Sequence, residues 1–206
     1  VYKKMKTPEA VTIYTFYSTR QPLSANGKKS FTADVKLTDA TFWHVFDFEY
    51  IYGKPYNEAD FKAGISLAVI SRSTARRLFN TTGNVVGSTF MLQHIPYKVA
   101  AVVNDVSTLA TMSYSQIWIP YTTDQEICNS VWNNVMGEFS TTILMHSPKD
   151  EAKVHAEAVA NVNKFNLTIK DNGIKILNRN RPYNTEKGAI SFGANIEPDV
   201  SAAHRT

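Results

Sequence analysis

Cysteine is almost missing from this 206-residue chain, where Cys128 stands alone. An internal disulfide is therefore excluded, and so is a cysteine metal cluster. The five histidines, His44, His94, His146, His155 and His204, show neither i,i+4 pairing nor a His-Glu-x-x-His run. Neither a metal site nor a cofactor is assigned from the sequence. No apolar run is long enough to cross a bilayer, and no signal peptide stands at Val1. A first residue other than methionine predicts an excised or processed fragment, with room for a membrane segment cut away. Gly83-Asn-Val-Val-Gly87-Ser88 invites comparison with a phosphate loop but lacks the Gly-Lys-Ser/Thr ending and precedes a predicted strand. It is read as a turn, and ATP hydrolysis is not expected of this chain. A Gly-x-Ser-x-Gly elbow is also missing. Asp34, Asp47, Glu49, Asp60 and Asp105 indicate no shared cleft and are read as solvated carboxylates, and Cys128 as a small core residue. No catalytic residue is assigned, and the chain is not read as an enzyme.

The composition is that of a globular protein, with 43% apolar and 19% charged residues. The net charge of +4 is unevenly placed. Lys3, Lys4, Lys6, Arg20, Lys28 and Lys29 face a lone Glu9, while the remainder is nearly balanced. A basic groove tracking nucleic acid does not fit that distribution.

Along the chain, Val11–Tyr17 and Phe31–Leu37 alternate as strands and are expected to pair across a turn holding Pro22 and Asn26-Gly27. Asp39 is placed to cap a short helix over 40–46 that buries Phe42, Val45 and Phe46, ended by Gly53-Lys54-Pro55. A second short helix runs over 57–64, with Asn57 as cap and Phe61 inward. Leu67–Ile70 reads as a strand covered on both faces, followed by a helix from a Ser73 cap to Phe79 with Arg72, Arg76 and Arg77 solvated. Strands follow at 89–92 and 97–106 around an Ile95-Pro96 turn, then a mobile loop at 107–116 and a strand at 117–120. Residues 121–137 read as irregular or weakly helical and 139–145 as a strand. Ser147-Pro148 opens the strongest helix, to about Asn163, with His155, Ala158, Val159, Val162 and Phe165 as its buried stripe. Strands are expected at 167–170 and 174–177, and poor order from Arg179 onward.

Two segments hold candidate contact residues. The aromatic cluster from Phe42 to Tyr56 is read first as core with some half-exposed rings. Its functional alternative is a contact surface for a protein or peptide through Trp43, Tyr50, Tyr52 and Tyr56, since Trp and Tyr concentrate at hot spots. Leu109 and Met112, apolar residues in the polar 107–116 loop, have the same alternative as a partner-binding projection.

Several stretches carry a family resemblance: Asp39-Ala-Thr-Phe-Trp-His-Val-Phe-Asp-Phe48, Gly53-Lys-Pro-Tyr56, Ala68-Val-Ile-Ser71, Thr74-Ala-Arg-Arg-Leu-Phe79, Val86-Gly-Ser88 and Tyr97-Lys-Val-Ala-Ala-Val-Val-Asn-Asp-Val106. In order and spacing, over residues 7–120, they resemble the MacB-like periplasmic core domain. That domain lies between the first two membrane helices of MacB/FtsX-type ABC transporter permeases, and the form here is similar to that in Bacteroidetes permeases. The resemblance implies an α+β fold of mixed and antiparallel sheets with few helices, in two lobes. Residues 1–38 and 138–180 would form a membrane-proximal, porter-like lobe, and 39–137 an inserted β-rich lobe. Residues 181–206 would lead toward the next membrane helix. Relatives have a longer segment before the equivalent of Val11, which predicts that the chain starts inside the domain.

The implied role is mechanotransmission by a non-catalytic periplasmic domain of an inner-membrane protein. The implied partners are a separate cytoplasmic ATPase subunit or domain reached through the full-length permease, and an envelope substrate, lipoprotein, peptide or other periplasmic protein. Flanking membrane helices and a homodimer in the full-length form are implied too. The competing reading is a secreted or surface-anchored binding module of similar fold without a transport role.

Overall fold

The computed structural model describes residues 1–25, 30–124, 139–168, 174–184 and 189–198, the last two ranges as backbone. The chain divides into two compact units, Val1–Ile13 with Val131–Thr206, and Tyr14–Ser130. These divisions fall at 13/14 and 130/131, whereas the lobes expected from the resemblance divide at 38/39 and 137/138. The difference at the first boundary comes from two strands whose pairing ties them to the later chain.

In chain order the strands and helices up to residue 120 are β1 (Ala10–Thr15), β2 (Thr19–Ser24), β3 (Phe31–Thr38), α1 (Phe42–Val45), β4 (Tyr50–Gly53), α2 (Glu58–Lys62), β5 (Leu67–Ser71), α3 (Arg72–Phe79), β6 (Thr89–Leu92), β7 (Ile95–Val103) and β8 (Ile117–Pro120). Neighbouring strands run β3-β2-β6-β7-β5-β8, and β8 also pairs in parallel with β3, so the ring closes. Closure gives each of these strands a partner on both sides over part of its length. Side chains fill the interior: Ala33, Val35 and Leu37 of β3, Ala68 and Ile70 of β5, Phe90 and Leu92 of β6, and Ile117 and Ile119 of β8 are all buried in one cluster. Ala75 and Leu78 of α3 join that cluster.

Several local expectations need correction. The expected antiparallel pairing of the first strand with β3 is present, with Tyr14 opposite Thr38, but the hairpin partner of β3 is β2, with Thr19 opposite Val35 and Leu23 opposite Phe31. Residues 21–29 read as turn because of Pro22, Asn26-Gly27 and two lysines, yet Pro22 and Leu23 sit in register opposite Thr32 and Phe31. Asn26-Gly27 lies outside the described residues. Gly53 ends a strand, β4, rather than a helix. The cap of α3 is Ser71, whose Oγ accepts from Thr74 N–H at 3.3 Å, because β5 passes directly into the helix. Ser73 N–H donates instead to Asp105 Oδ1 at 3.1 Å. The β6–β7 turn is Gln93-His94, at φ 47° and 68°, and Ile95-Pro96 belongs to β7. Two left-handed residues suit a tight hairpin whose twist matches its strands. The Asn57 cap holds, as a full capping box with Asp60.

The other unit contains a short 3-10 helix at Tyr2–Lys4, β9 (Phe139–Leu144), α4 (Glu151–Thr168), β10 (Ile174–Asn184) and β11 (Ala189–Pro198). Its strand order is β10-β11-β9-β1. Ser147 Oγ accepts from Lys149 N–H, opening a 3-10 turn with Pro148 ahead of α4. The buried stripe of α4 is Val154, Ala158 and Val162, with His155, Val159 and Phe165 at its half-buried margins. Val154 and Ala158 pack on Val11, Ile143 and Met145. The segment ahead of β1 is fastened by the Glu157 carboxylate, which accepts from Lys6 and Thr7 N–H at 2.7 and 2.9 Å. Leu167 and Thr168 close α4 instead of opening a strand, and in place of the poor order expected from Arg179 onward, β10 up to Asn184 pairs antiparallel with β11 over Ala189–Pro198. Main-chain pairing needs no apolar alternation, which is why the sequence pattern hid it.

Candidate functional site

The aromatic cluster covers the outside of the closed strand ring. Along β5, β7 and β8, residues alternate with the interior set, so Val69, Ala101, Val103 and Trp118 face outward and are covered by Phe42, Phe48 and Tyr56. Asp39 Oδ1 accepts from Phe42 N–H at 3.0 Å and starts the single turn of α1. Phe42 is fully buried, while Val45 and Phe46 are only half-buried. Trp43 packs edge-on to Phe48 and Tyr56, with ring centroids 5.2 and 5.3 Å away. Such contacts add to the burial of area itself.

The four aromatic candidates therefore do not form one surface. Tyr56, 1% exposed, is a core ring hydrogen-bonded to Thr38, and burial raises its phenol far above the ordinary range. Trp43 is half-buried in the same cluster. A register shift in β4 between Tyr50 and Tyr52 sends them to different places. Tyr50 packs with Trp43, whereas Tyr52 packs against the interior cluster. Burial, followed by the charge of Asp47, raises the Tyr50 phenol.

The 107–116 loop, expected to be mobile, is tied down along its length. Tyr14 Oη–H donates to Met112 Sδ at 3.1 Å, Trp118 Nε1–H to Ser113 O at 3.1 Å and Ser18 Oγ–H to Tyr114 O at 3.0 Å. Tyr114 Oη–H reaches Asp34 Oδ2 at 3.0 Å, and Ser115 Oγ–H reaches Asp34 O at 2.8 Å. Met112 thus belongs to the outer cluster, and Leu109 projects, 90% exposed, from a fastened base.

At the root of this loop lies a residue that the sequence reading missed. Lys36 is 0% exposed, and its Nζ donates to the carbonyls of Thr15, Phe16 and Thr111 at 3.2, 3.1 and 3.4 Å. In β3 it alternates with Val35 and Leu37, a pattern that reads as a solvated side. What buries it is the long-range return of residue 111. Burial pulls its ammonium from an ordinary 10.5 down to about 8. Between those values the unfolded chain holds a proton that the folded chain has released, so stability rises with pH across that window. Above it the raised phenols of Tyr50 and Tyr56 act in the opposite sense. Chemical denaturation should show the parent gaining about 2 kcal/mol relative to Lys36→Met between pH 8 and about pH 10. Parallel pH profiles would remove the buried ammonium from this account.

The carboxylates singled out earlier serve local structure. Asp60 completes the α2 capping box, Asp34 receives Tyr114 and pairs with Arg20 at 3.6 Å, and Glu49 receives the Asn104 amide. Asp105 lies below its usual range: burial opposes this, but hydrogen bonds from Ser73 and Ser71, with Arg72 nearby, outweigh it. Among the described residues no three His, Cys, Asp or Glu side chains gather around a metal position. Cys128 and His204 lie outside the described residues.

Residues 2–161 match the family described as the MacB-like periplasmic core domain. The chain belongs to this family. A macrolide export ATP-binding/permease protein, MacB of Burkholderia cenocepacia, is 31% identical over 75 residues, which are 36% of this chain and 11% of that protein. The pyoverdine export ATP-binding/permease protein PvdT of Pseudomonas fluorescens is 23% identical over 124 residues, 59% of this chain and 18% of that protein. The chain thus spans a small part of the length of these curated relatives. In structure it is similar to the periplasmic region of MacB from Actinobacillus actinomycetemcomitans, with a TM-score of 0.57 and 19% identity, covering 98% of this chain and 77% of that one. The extracellular domain of the ABC-type transporter YknZ from Gram-positive bacteria gives a TM-score of 0.55 at 12% identity, covering 74% and 73%. The α+β class of the MacB-like fold, sheet-rich with few helices, is that expected from the sequence. The family is one of transporter periplasmic domains rather than a known enzyme class. No helix among the described residues is long and apolar enough to cross a membrane.

Proposed function

We propose that this chain is the periplasmic, non-catalytic domain of an inner-membrane ABC transporter permease, passing ATP-driven motion to an envelope substrate or partner protein. The observation that carries the reading is the family match over residues 2–161. The construction of the Tyr14–Ser130 unit supports it. A strand ring with a filled interior and an aromatic jacket is a stiff body, which suits a part that must convey displacement without absorbing it. On this reading the ATPase is a separate cytoplasmic subunit or domain, and the fastened projection carrying Leu109 is the partner contact. Trp43, Tyr50, Tyr56 and Met112 serve that contact indirectly, by stiffening its base.

The test uses the full-length permease with its ATPase, reconstituted in bilayers. Apolar stretches of about 20 residues should flank the domain in the gene. Hydrogen exchange at residues 107–116 should differ severalfold between nucleotide-free and ATP-trapped states. Unchanged exchange throughout the domain on ATP trapping would remove mechanotransmission. A gene encoding a cleavable signal peptide and no membrane helix would select the secreted binding module instead.

A further inference from the structure

Helix α3 places Arg72 and Arg76 one turn apart on its exposed side. The third arginine of the helix is occupied, with its guanidinium 4.0 Å from the centre of the Phe31 ring. Among the described residues neither Arg72 nor Arg76 makes an ion pair. Arg72 interacts electrostatically with Asp105, whose carboxylate is already engaged by Ser73 N–H at 3.1 Å. Arg72 and Arg76 both line a concavity of about 230 Å³, together with Ile51 and Tyr52 of β4 and with Thr81 and Thr82. Arginine, threonine and apolar residues thus line one place.

Size and backbone narrow the occupant. Pockets for whole small-molecule ligands run from about 300 to 1,000 Å³, so this one suits one or two side chains. Strand β4 pairs only with β7 among the described residues, which leaves main-chain groups along its other edge for an added strand. Two guanidinium forks select a planar carboxylate, which they can grip in bidentate fashion. We infer that this concavity docks an extended acidic peptide segment, with an Asp or Glu carboxylate on Arg72 and Arg76 and an apolar neighbour against Ile51 and Tyr52. Tyr52, displaced from the aromatic jacket by the β4 register shift, thereby gains a contact role of its own. The inference is independent of the transport reading, because a binding module would use the site in the same way.

The test is an amide chemical-shift titration of the intact chain. The probes are short blocked peptides with Glu between Leu, Phe or Val residues, their Gln counterparts, inorganic phosphate and phosphatidylglycerol vesicles. Some of the Glu peptides should shift the amides of residues 51–53 and 72–83, with the Gln peptides about fivefold weaker. Arg76→Ala should weaken the Glu peptides about three- to fivefold while leaving the thermal midpoint unchanged, and raised salt should do the same. Equal shifts from Glu and Gln peptides, or none from either, would overturn the assignment. A response to phosphate or vesicles but to no peptide would overturn it as well, and would mark an oxyanion site of another kind.

Discussion

Gly53→Ala is expected to destabilise the Tyr14–Ser130 unit by at least about 3 kcal/mol, through left-handed backbone strain joined to a backbone clash. Gly53 has φ +72°, and a Cβ built on it would lie 2.2 Å from the carbonyl oxygen of Ala100 and 2.9 Å from Val86 Cγ2. The nearer obstacle is main chain of β7, which cannot turn aside as a flexible side chain could. Relief requires β4 to lift from its pairing with Ala101, and that loosens Tyr50 and Tyr52 together. Gly64→Ala is the matched control. Its φ is +63°, but the nearest atom, Thr122 O, is 3.7 Å from the added carbon, so only the conformational cost of about 1 kcal/mol applies. Urea denaturation of both variants separates the contributions. Equal losses would mean that β4 does not approach β7 as closely as described.

Gly53 also shows where sequence reading stops. Gly53-Lys54-Pro55 reads as the end of a helix, and an element does end there. That it is a strand pressed against another strand depends on residue 100, which no local pattern reveals. Elements with their own periodicity or cap were legible: β3, β5 and β8 from apolar pattern, α2 from its Asn57 cap and α4 from Ser147-Pro148. Strand β2 escaped because its neighbours in space supply what its own sequence lacks. Lys36 escaped for the converse reason, since its alternation predicts solvent and a distant loop supplies burial.

The candidate site divides along the same line. Sequence gathered Trp43, Tyr50, Tyr52 and Tyr56 into one cluster, and ring contacts do join Trp43 with Tyr50 and Tyr56. The β4 register shift that removes Tyr52 has no sequence mark, because any residue accommodates it. The family resemblance supplied what periodicity could not, the expectation of a transporter domain without a reaction centre.

Trp118→Ala should cost about 4 kcal/mol, within the range for an aromatic side chain removed from a close-packed site. Trp118 is 0% exposed and anchors the outer cluster, with the Phe48 ring 5.3 Å and the Trp43 ring 6.3 Å away. On its two flanks it is in register with Lys36 of β3 and Val69 of β5, so the void opens against two strands of the ring. Its Nε1–H also supplies the donor for Ser113 O at 3.1 Å, one of the ties on the 107–116 loop. Trp118→Phe separates packing from tether. It keeps most of the ring volume and removes the donor, so its loss should be about 1–2 kcal/mol. Both variants should speed amide exchange in residues 107–116, but only alanine should also expose the cluster beneath α1. Denaturation midpoints with residue-resolved exchange decide the matter. If Trp118→Phe leaves loop exchange at the parent rate, the indole does not hold the loop, and the ties from Tyr14, Ser18, Asp34 and Lys36 carry that task.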